Sequence, residues 1–232
     1  MHMAKQTVEP SSSMSGTAMR RPPSPDAFDI VEPFGTTISV RRAYEIYKHD
    51  EPAQYCWKML SGCARSVQLM EDGRRQIGEF LWPGDMLGMN DLQTHSADVE
   101  AVTDVTLRRY PRHVIETYAN SHVALALRLR MMTLANLRFA HRQILLLGRK
   151  TAVERIASFL LAMDTQSATG DGHLVVLPMS RTDIADHLGL SIETVCRNLV
   201  NLQREGTLAI QRSGVELLNR AALLELACEA QQ

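Results

Sequence analysis

Residues 113–147 contain neither glycine nor proline. Leu, Ala, Met and Arg dominate the stretch, and all are strong helix formers. A rise of about 1.5 Å per residue predicts a helix about 50 Å long. Leu127, Leu134 and His141 recur every seven residues, and Met131 and Leu145 fill alternate positions. That is the spacing of a coiled-coil seam. A helix of this length packs either on its own domain or on a partner, and the heptad spacing favours a second copy of the chain. The five seam residues are therefore the candidate dimerisation residues.

The helix divides the chain. Ahead of it, from about Phe34 to Arg112, short β-like runs ("TTISV", "QYCWKML", "CARSVQLM", "RQIGEFL", "DVEAVT", "VTLRRY") alternate with turn signals. "EDG" at 71–73 and "PGD" at 83–85 mark two turns. Ser61-Gly62 reads as a two-residue hairpin. The pattern is that of an antiparallel roll or barrel. Residues 1–28 are rich in Ser, Pro and Met and read as a disordered tail. The expected organisation is α+β: a tail over 1–28, a β-roll over 29–112, a dimerisation helix over 113–148, and a third unit over 149–232.

The third unit carries the most specific pattern. "TAVERIASFLLAMD" (151–164) is amphipathic, and "HLVVLP" (173–178) reads as a short strand. Ser180 and Asp183 have capping-box spacing and open a helix. Ile184, Ala185 and Leu188 form its apolar face. Gly189 ends it, Ser191 caps the next helix, and Val195, Leu199 and Leu202 form a second apolar face. Two helices joined by a short glycine-containing turn make a helix-turn-helix. "GTLAIQRSGVELL" (206–218) then supplies two β runs around an Arg212-Ser213-Gly214 tip, so the unit is winged.

In such a unit the start of the second helix meets base edges in the major groove. Glu193 and Arg197 lie there, four residues apart, and share one face. Arginine can grip guanine through O6 and N7, and glutamate can accept from the cytosine amino group. The pair can also bond to each other when DNA is absent, or serve only as a solvated surface pair. Ser191 and Thr194 are candidate phosphate donors at a helix N-terminus. Arg181 and Arg212 flank them as further phosphate candidates.

Composition narrows the remaining classes. The net charge is −1, so nucleic-acid contact must come from a local patch. Arginine outnumbers lysine 21 to 4, which suits phosphate and base edges. Residues 1–28 lack the apolar core of a secretory leader, and no run of 18 apolar residues exists to span a membrane. With four cysteines and no CxxC pair, a cytoplasmic protein with reduced thiols is expected. The roll offers no paired carboxylates and no metal-ligand cluster, so an enzyme is not expected.

A β-roll, a long helix and a winged helix-turn-helix containing "ETVCR" together resemble the CRP/FNR family of bacterial transcription regulators, over residues 30 to 225. "LWPGDMLGMNDL" resembles the roll's glycine-marked turns. "LGRKTAVERIASFLL" and "DIADHLGLSIETVCR" resemble its FixK-type branch. The resemblance implies a homodimeric activator that binds an inverted repeat in double-stranded DNA and recruits RNA polymerase, with genes of oxygen-limited respiration as targets. It places the family's base readers on Glu193 and Arg197. Ile192 stands where the cyclic-AMP-responsive branch has an arginine, and an aliphatic side chain suits a thymine methyl. A TTGAT-like half-site follows. Asn198 departs from the pattern, which is more often apolar there.

The resemblance also frames the question of a signal. Where cyclic-nucleotide binders have a glutamate and an arginine, this chain has Met89 and His95, which do not form a charged phosphate clamp. The tail lacks the cysteines of the iron–sulfur branch, and such clusters need four ligands as a rule. With Ser61-Gly62 as a turn, Cys63 would sit about 13 Å along the strand from Cys56, too far to bridge. His49, His95, His113, His122 and His141 stand in no haem motif. No cofactor is therefore expected, and the alternative is a ligand- or haem-gated sensor of the same fold. Cys196 lies beside Arg197 in the base-reading helix. It is either a simple replacement of a small residue or a redox site whose oxidation weakens DNA binding. Cys228, close to the C-terminus, reads as incidental.

Overall fold

A computed structural model describes residues 27–89, 93–166 and 174–228. Eight strands come first: β1 (Thr36–Val40), β2 (Glu45–Tyr47), β3 (Tyr55–Ser61), β4 (Ala64–Leu69), β5 (Arg75–Leu81), β6 (Met86–Leu87), β7 (Asp98–Ala101) and β8 (Val105–Pro111). They form two four-stranded antiparallel sheets, ordered β1–β8–β3–β6 and β2–β7–β4–β5. Trp57, Met59, Ala64, Leu81, Leu87, Val99, Val105 and Leu107 fill the interior between them. This is the roll expected of the β-like runs. Only residues 27 and 28 of the tail are described, and Phe28 departs from the reading. It is 3% exposed, packed with Val31, Cys56, Tyr110, Ile115 and Leu125, so burial of its ring ties the start of the described chain to the roll.

The Ser61-Gly62 hairpin is a correction. β3 pairs with β8 and β6, whereas β4 pairs with β5 and β7, so the chain crosses from one sheet to the other at this point. Gly62 has φ +86°, and an added Cβ would meet the Asp104 carbonyl at 2.3 Å. The Cys63 N–H donates to Thr103 Oγ1 at 2.9 Å, and the Cys63 carbonyl accepts from Val102 N. Packing against 102–104, distant in sequence, decides the path. The distance argument for Cys56 and Cys63 therefore lacks its premise. The two thiols lie in different apolar clusters.

The long helix is also interrupted. α1 (Arg112–Ser121) and α2 (Val123–Arg149) meet at His122, which is extended (φ −122°, ψ 98°). The His122 N–H keeps its helical bond to the Tyr118 carbonyl at 2.8 Å, and His122 Nδ1 lies 3.0 Å from the same carbonyl and 3.0 Å from Ser121 Oγ. α2 alone spans about 40 Å. Leu125, Leu129 and Met132 anchor its first half to the roll.

The remaining elements are α3 (Ala152–Gln166), β9 (Leu174–Val176), α4 (Arg181–Leu188), α5 (Ile192–Arg204), β10 (Leu208–Gln211), β11 (Gly214–Leu217) and α6 (Arg220–Cys228). β10 and β11 form the wing hairpin, and β9 adds a third strand on β11. Gly214 permits that pairing, because a Cβ there would lie 2.0 Å from the Val175 carbonyl. One apolar cluster joins the two halves: Cys63, Val67, Ile77, Phe80 and Val102 of the roll pack with Ile156, Phe159, Ile184, Leu188 and Val195. Arg155 ties the junction further. Its guanidinium donates to the carbonyls of Leu147 at the end of α2, Lys150, and Leu188 at the end of α4, at 2.8–2.9 Å.

Candidate nucleic-acid interface

Local chemistry sets the two helices of the reading unit. Ser180 Oγ accepts from Asp183 N at 3.1 Å, and Asp183 Oδ2 accepts from Ser180 N at 3.0 Å, closing the capping box. Gly189, at φ +61° and ψ 43°, ends α4 in the left-handed conformation that glycine tolerates best. Ser191 Oγ then accepts from Thr194 N at 3.2 Å and starts α5. Val195, Leu199 and Leu202 are buried, which fixes the rotation of α5 about its axis.

That rotation leaves Ile192, Glu193, Cys196, Arg197 and Val200 exposed. Glu193, Cys196, Arg197 and Val200 follow helical spacing and share the face opposite the buried residues. Val200 was missed in the sequence, although its three- and four-residue steps from Arg197 and Cys196 mark it. Glu193 and Arg197 form no ion pair among the described residues, so they do not bond to each other here. The Glu193 carboxylate is held by its own backbone N–H and then by the Ser191 hydroxyl, which lower its pKa below the ordinary value. The face therefore presents an oriented acceptor beside a guanidinium that has no hydrogen-bond partner among the described residues.

The flanking candidates sit differently. Ser191 Oγ and Thr194 Oγ1 lie 3.1 Å apart at the helix start. Arg181, the first residue of α4, is half-buried, and burial lowers its pKa while the nearby Cys196 opposes that shift. Arg212 is exposed at the wing tip, in the two-residue turn between Gln211 and Gly214. Asn198 turns inward along its own helix, and its Nδ2 donates to the Thr194 carbonyl at 2.8 Å. The acid and the arginine thus stand on one helix, while Arg212 stands on a separate hairpin.

All five seam candidates, Leu127, Met131, Leu134, His141 and Leu145, are exposed on α2. Leu137 at 51% and Ile144 at 67% continue the same stripe. The seven-residue count overlooked them, although they lie three residues beyond Leu134 and His141. An exposed apolar stripe of this length is of the kind that marks interaction surfaces.

The roll does not offer a fit for a cyclic phosphate at the two positions that the resemblance selects. His95 is 2% exposed and stacks on Tyr47, with ring centroids 3.8 Å apart, beside Trp57. Met89 packs in the apolar cluster around Tyr110. The nearby Arg112 guanidinium is engaged by the carbonyls of Ala53 and Gly88. Among the described residues, no three His, Cys, Asp or Glu side chains gather as metal ligands, and no helix is long and apolar enough to cross a membrane.

Comparison with known proteins agrees with this architecture. Residues 37–122 match the family described as cyclic nucleotide-binding domain, and residues 154–226 match the Crp-like helix-turn-helix domain. The chain is 42% identical over 201 residues to the nitrogen fixation regulation protein FixK of Azorhizobium caulinodans, covering 85% of this chain and 81% of that protein. It is 37% identical over 176 residues to the transcriptional activatory protein AadR of Rhodopseudomonas palustris, covering 75% and 74%. The solved structure of FixK2 from Bradyrhizobium japonicum superimposes with a TM-score of 0.80 at 43% identity, covering 84% of this chain and 98% of that one.

Proposed function

The chain belongs to the CRP/FNR family of DNA-binding transcription regulators, and from that premise we propose that it is a homodimeric activator reading a TTGAT-like inverted repeat. The observation that carries this reading is the exposed face of α5. Arg197 is placed to grip a guanine edge, Glu193 to accept from a cytosine amino group, and Ile192 to cover a thymine methyl. Ser191, Thr194, Arg181 and Arg212 contact phosphates on either side and set register rather than sequence. The stripe on α2 from Leu127 to Leu145 joins two copies, so the two-fold of the protein matches the two-fold of the site. RNA polymerase is the further partner, and genes of oxygen-limited respiration are the targets. The activator works without a cyclic nucleotide, iron–sulfur cluster or haem.

Fluorescence anisotropy of the purified protein on such a repeat, with no ligand added, tests this. Tight binding that is lost on scrambled DNA is the expected result. Each good arginine–guanine fork contributes about 1–3 kcal/mol of discrimination. Arg197→Ala should therefore bind the repeat roughly 5- to 150-fold more weakly, and wild-type affinity in that variant would overturn the reading.

Cys196 adds a redox layer to the same face. Peroxide oxidises its thiolate to a sulfenic acid and is itself reduced to water, and a second equivalent yields the anionic sulfinate. Negative charge beside DNA phosphates then weakens binding. Peroxide should lower the affinity of the wild type and leave Cys196→Ala unchanged. Equal sensitivity of the two proteins would remove Cys196 from the account.

One observation favours a second reading, the ligand-gated sensor. In a single copy, a cavity of about 990 Å³ lies between β5, α2 and α3, with Trp82, Met132, Phe139 and Met163 among its walls and Met131 and Leu145 of the α2 stripe at its edge. Native mass spectrometry of the purified dimer would reveal a retained small molecule there.

A further inference from the structure

The roll and the reading unit meet in a polar cluster that no sequence motif announces. On the roll side stand Arg65 of β4, Arg75 and Gln76 of β5, and Glu100 of β7. On the other side stand Asp183, Asp186 and His187, all on α4. Arg65 Nη1 lies 2.7 Å from Asp183 Oδ1, and Arg75 Nη2 lies 2.8 Å from the same oxygen. Arg75 Nε donates to Asp186 Oδ2 at 2.9 Å. Glu100 orients Arg65 from behind, with Nη2 2.6 Å from Oε2. Gln76 Nε2 donates to the His187 carbonyl at 3.3 Å.

Asp183 has a double duty. One of its oxygens closes the capping box of α4 and the other takes both arginines. It is 5% exposed. A buried carboxylate oxygen shared by two guanidinium groups has few alternative geometries, because each charge-assisted hydrogen bond is short and directional. These bonds run almost entirely to α4, the helix that precedes the base-reading one. α4 in turn fixes α5 through the Gly189 turn and the apolar contact of Ile184 and Leu188 with Val195 and Leu199. Beside the shared apolar cluster and Arg155, Arg65 and Arg75 are therefore the directional polar ties that hold the angle of α5 relative to the roll.

We propose that Arg65 and Arg75 are positioning residues for DNA recognition: by clamping Asp183 and Asp186 they set the orientation at which each copy presents α5, and so the half-site spacing that the dimer accepts. The proposal rests on the reading of α5 as the base-reading helix and of the protein as a dimer. Half-site spacing is a stringent readout, because one added base pair turns the second half-site by about 35° and moves it along the axis. A rigid pair of reading heads tolerates one spacing. A loosened pair accepts several, with a lower affinity at the best.

The test uses the full chain and duplexes carrying two TTGAT half-sites, with the spacer at the wild-type optimum and lengthened or shortened by one and two base pairs. Two variants are compared with wild type, Arg75→Gln and Arg65→Gln. Asp186→Asn is a third, milder variant that weakens the clamp without stranding Asp183, and it serves if Arg65→Gln fails to fold by circular dichroism. The expected result is an affinity about tenfold lower at the best spacer, with discrimination among spacers largely lost. A spacing profile that superimposes on wild type overturns the proposal. So does a uniform loss of affinity with discrimination intact, which is what a merely stabilising or phosphate-contacting role produces. Arg197→Ala is the parallel control and should lose affinity at every spacer. Wild-type binding by that control would show instead that the base-reading assignment has failed, and the positioning role would fall with it.

Discussion

His187 Nδ1 lies 3.1 Å from the carbonyl oxygen of Ile77, so α4 and β5 share a hydrogen bond in a buried place. A carbonyl only accepts, so Nδ1 carries the proton in this arrangement. Gln143 Nε2, 3.3 Å from Nε2, then donates to the ring's second nitrogen. Phe80 and Phe159 pack around the ring. Burial drives the pKa of His187 below its ordinary 6.5, with the bond to Ile77 opposing, and the neutral form is favoured.

The sign of the resulting pH dependence follows from linkage. His187 takes up a proton more readily in the unfolded chain than in the folded one. Its contribution to stability is full above about pH 6.5 and is lost as the pH falls below that value. Thermal unfolding of the wild type should move to lower temperature between pH 6.5 and 5. His187→Gln, which keeps a donor for Ile77, should show a shallower slope in that window. Parallel slopes would place the pH dependence elsewhere.

Glu79 predicts the opposite sign. Burial is the largest cause that raises its carboxyl from 4.5 to about 7, with the charge of Asp85 second. A raised carboxyl is compatible with the fold while neutral, so stability is full below pH 4.5 and declines as the pH rises through 7. Glu79→Gln should unfold at a higher temperature than wild type at pH 8, with the gap closing toward pH 4.5. Thermal unfolding followed by circular dichroism at the two pH values measures it.

Gly214 predicts a wing defect. An added Cβ would fall 2.0 Å from the Val175 carbonyl, a backbone atom that cannot rotate away. Gly214→Ala should separate β9 from β11 and cost about 2 kcal/mol, in the range of overpacked sites. Hydrogen exchange should rise first at residues 174–176. An unaltered unfolding midpoint would contradict the geometry.

The stripe on α2 predicts an oligomeric switch. Leu134→Glu places a charge at the middle of the exposed apolar row and has little to disturb within one chain. Sedimentation should show the variant as a monomer of unaltered fold. Its binding to a full inverted repeat should drop to the level of a single half-site.

The helix-turn-helix was readable because its signals are local. Ser180 and Asp183, Gly189, and Ser191 lie within a few residues of the bonds they make, and Val195, Leu199 and Leu202 repeat at the helical period. The roll was readable only as a class. Ser61-Gly62 suits a hairpin as well as a crossover, and contacts with 102–104 decide between them. The break at His122 is a change of one residue's backbone to the extended region, which composition does not reveal. The clamp of Arg65 on Asp183 joins residues 118 apart in the chain, and a charge pair at that separation leaves no periodic trace.

Cys56 and Cys63 are essentially sealed within the roll, and burial pushes the Cys63 thiol up to about 12. Cys196 is the exposed one among the three whose side chains are described. With Cys228 replaced by serine, a thiol-reactive dye would report from α5 alone. The protein therefore carries its own attachment point for an optical probe on the face that Glu193 and Arg197 share. Quenching of such a probe would follow occupation of that face in real time, while the protected thiols of the roll would become reactive only on unfolding and so give a built-in measure of it.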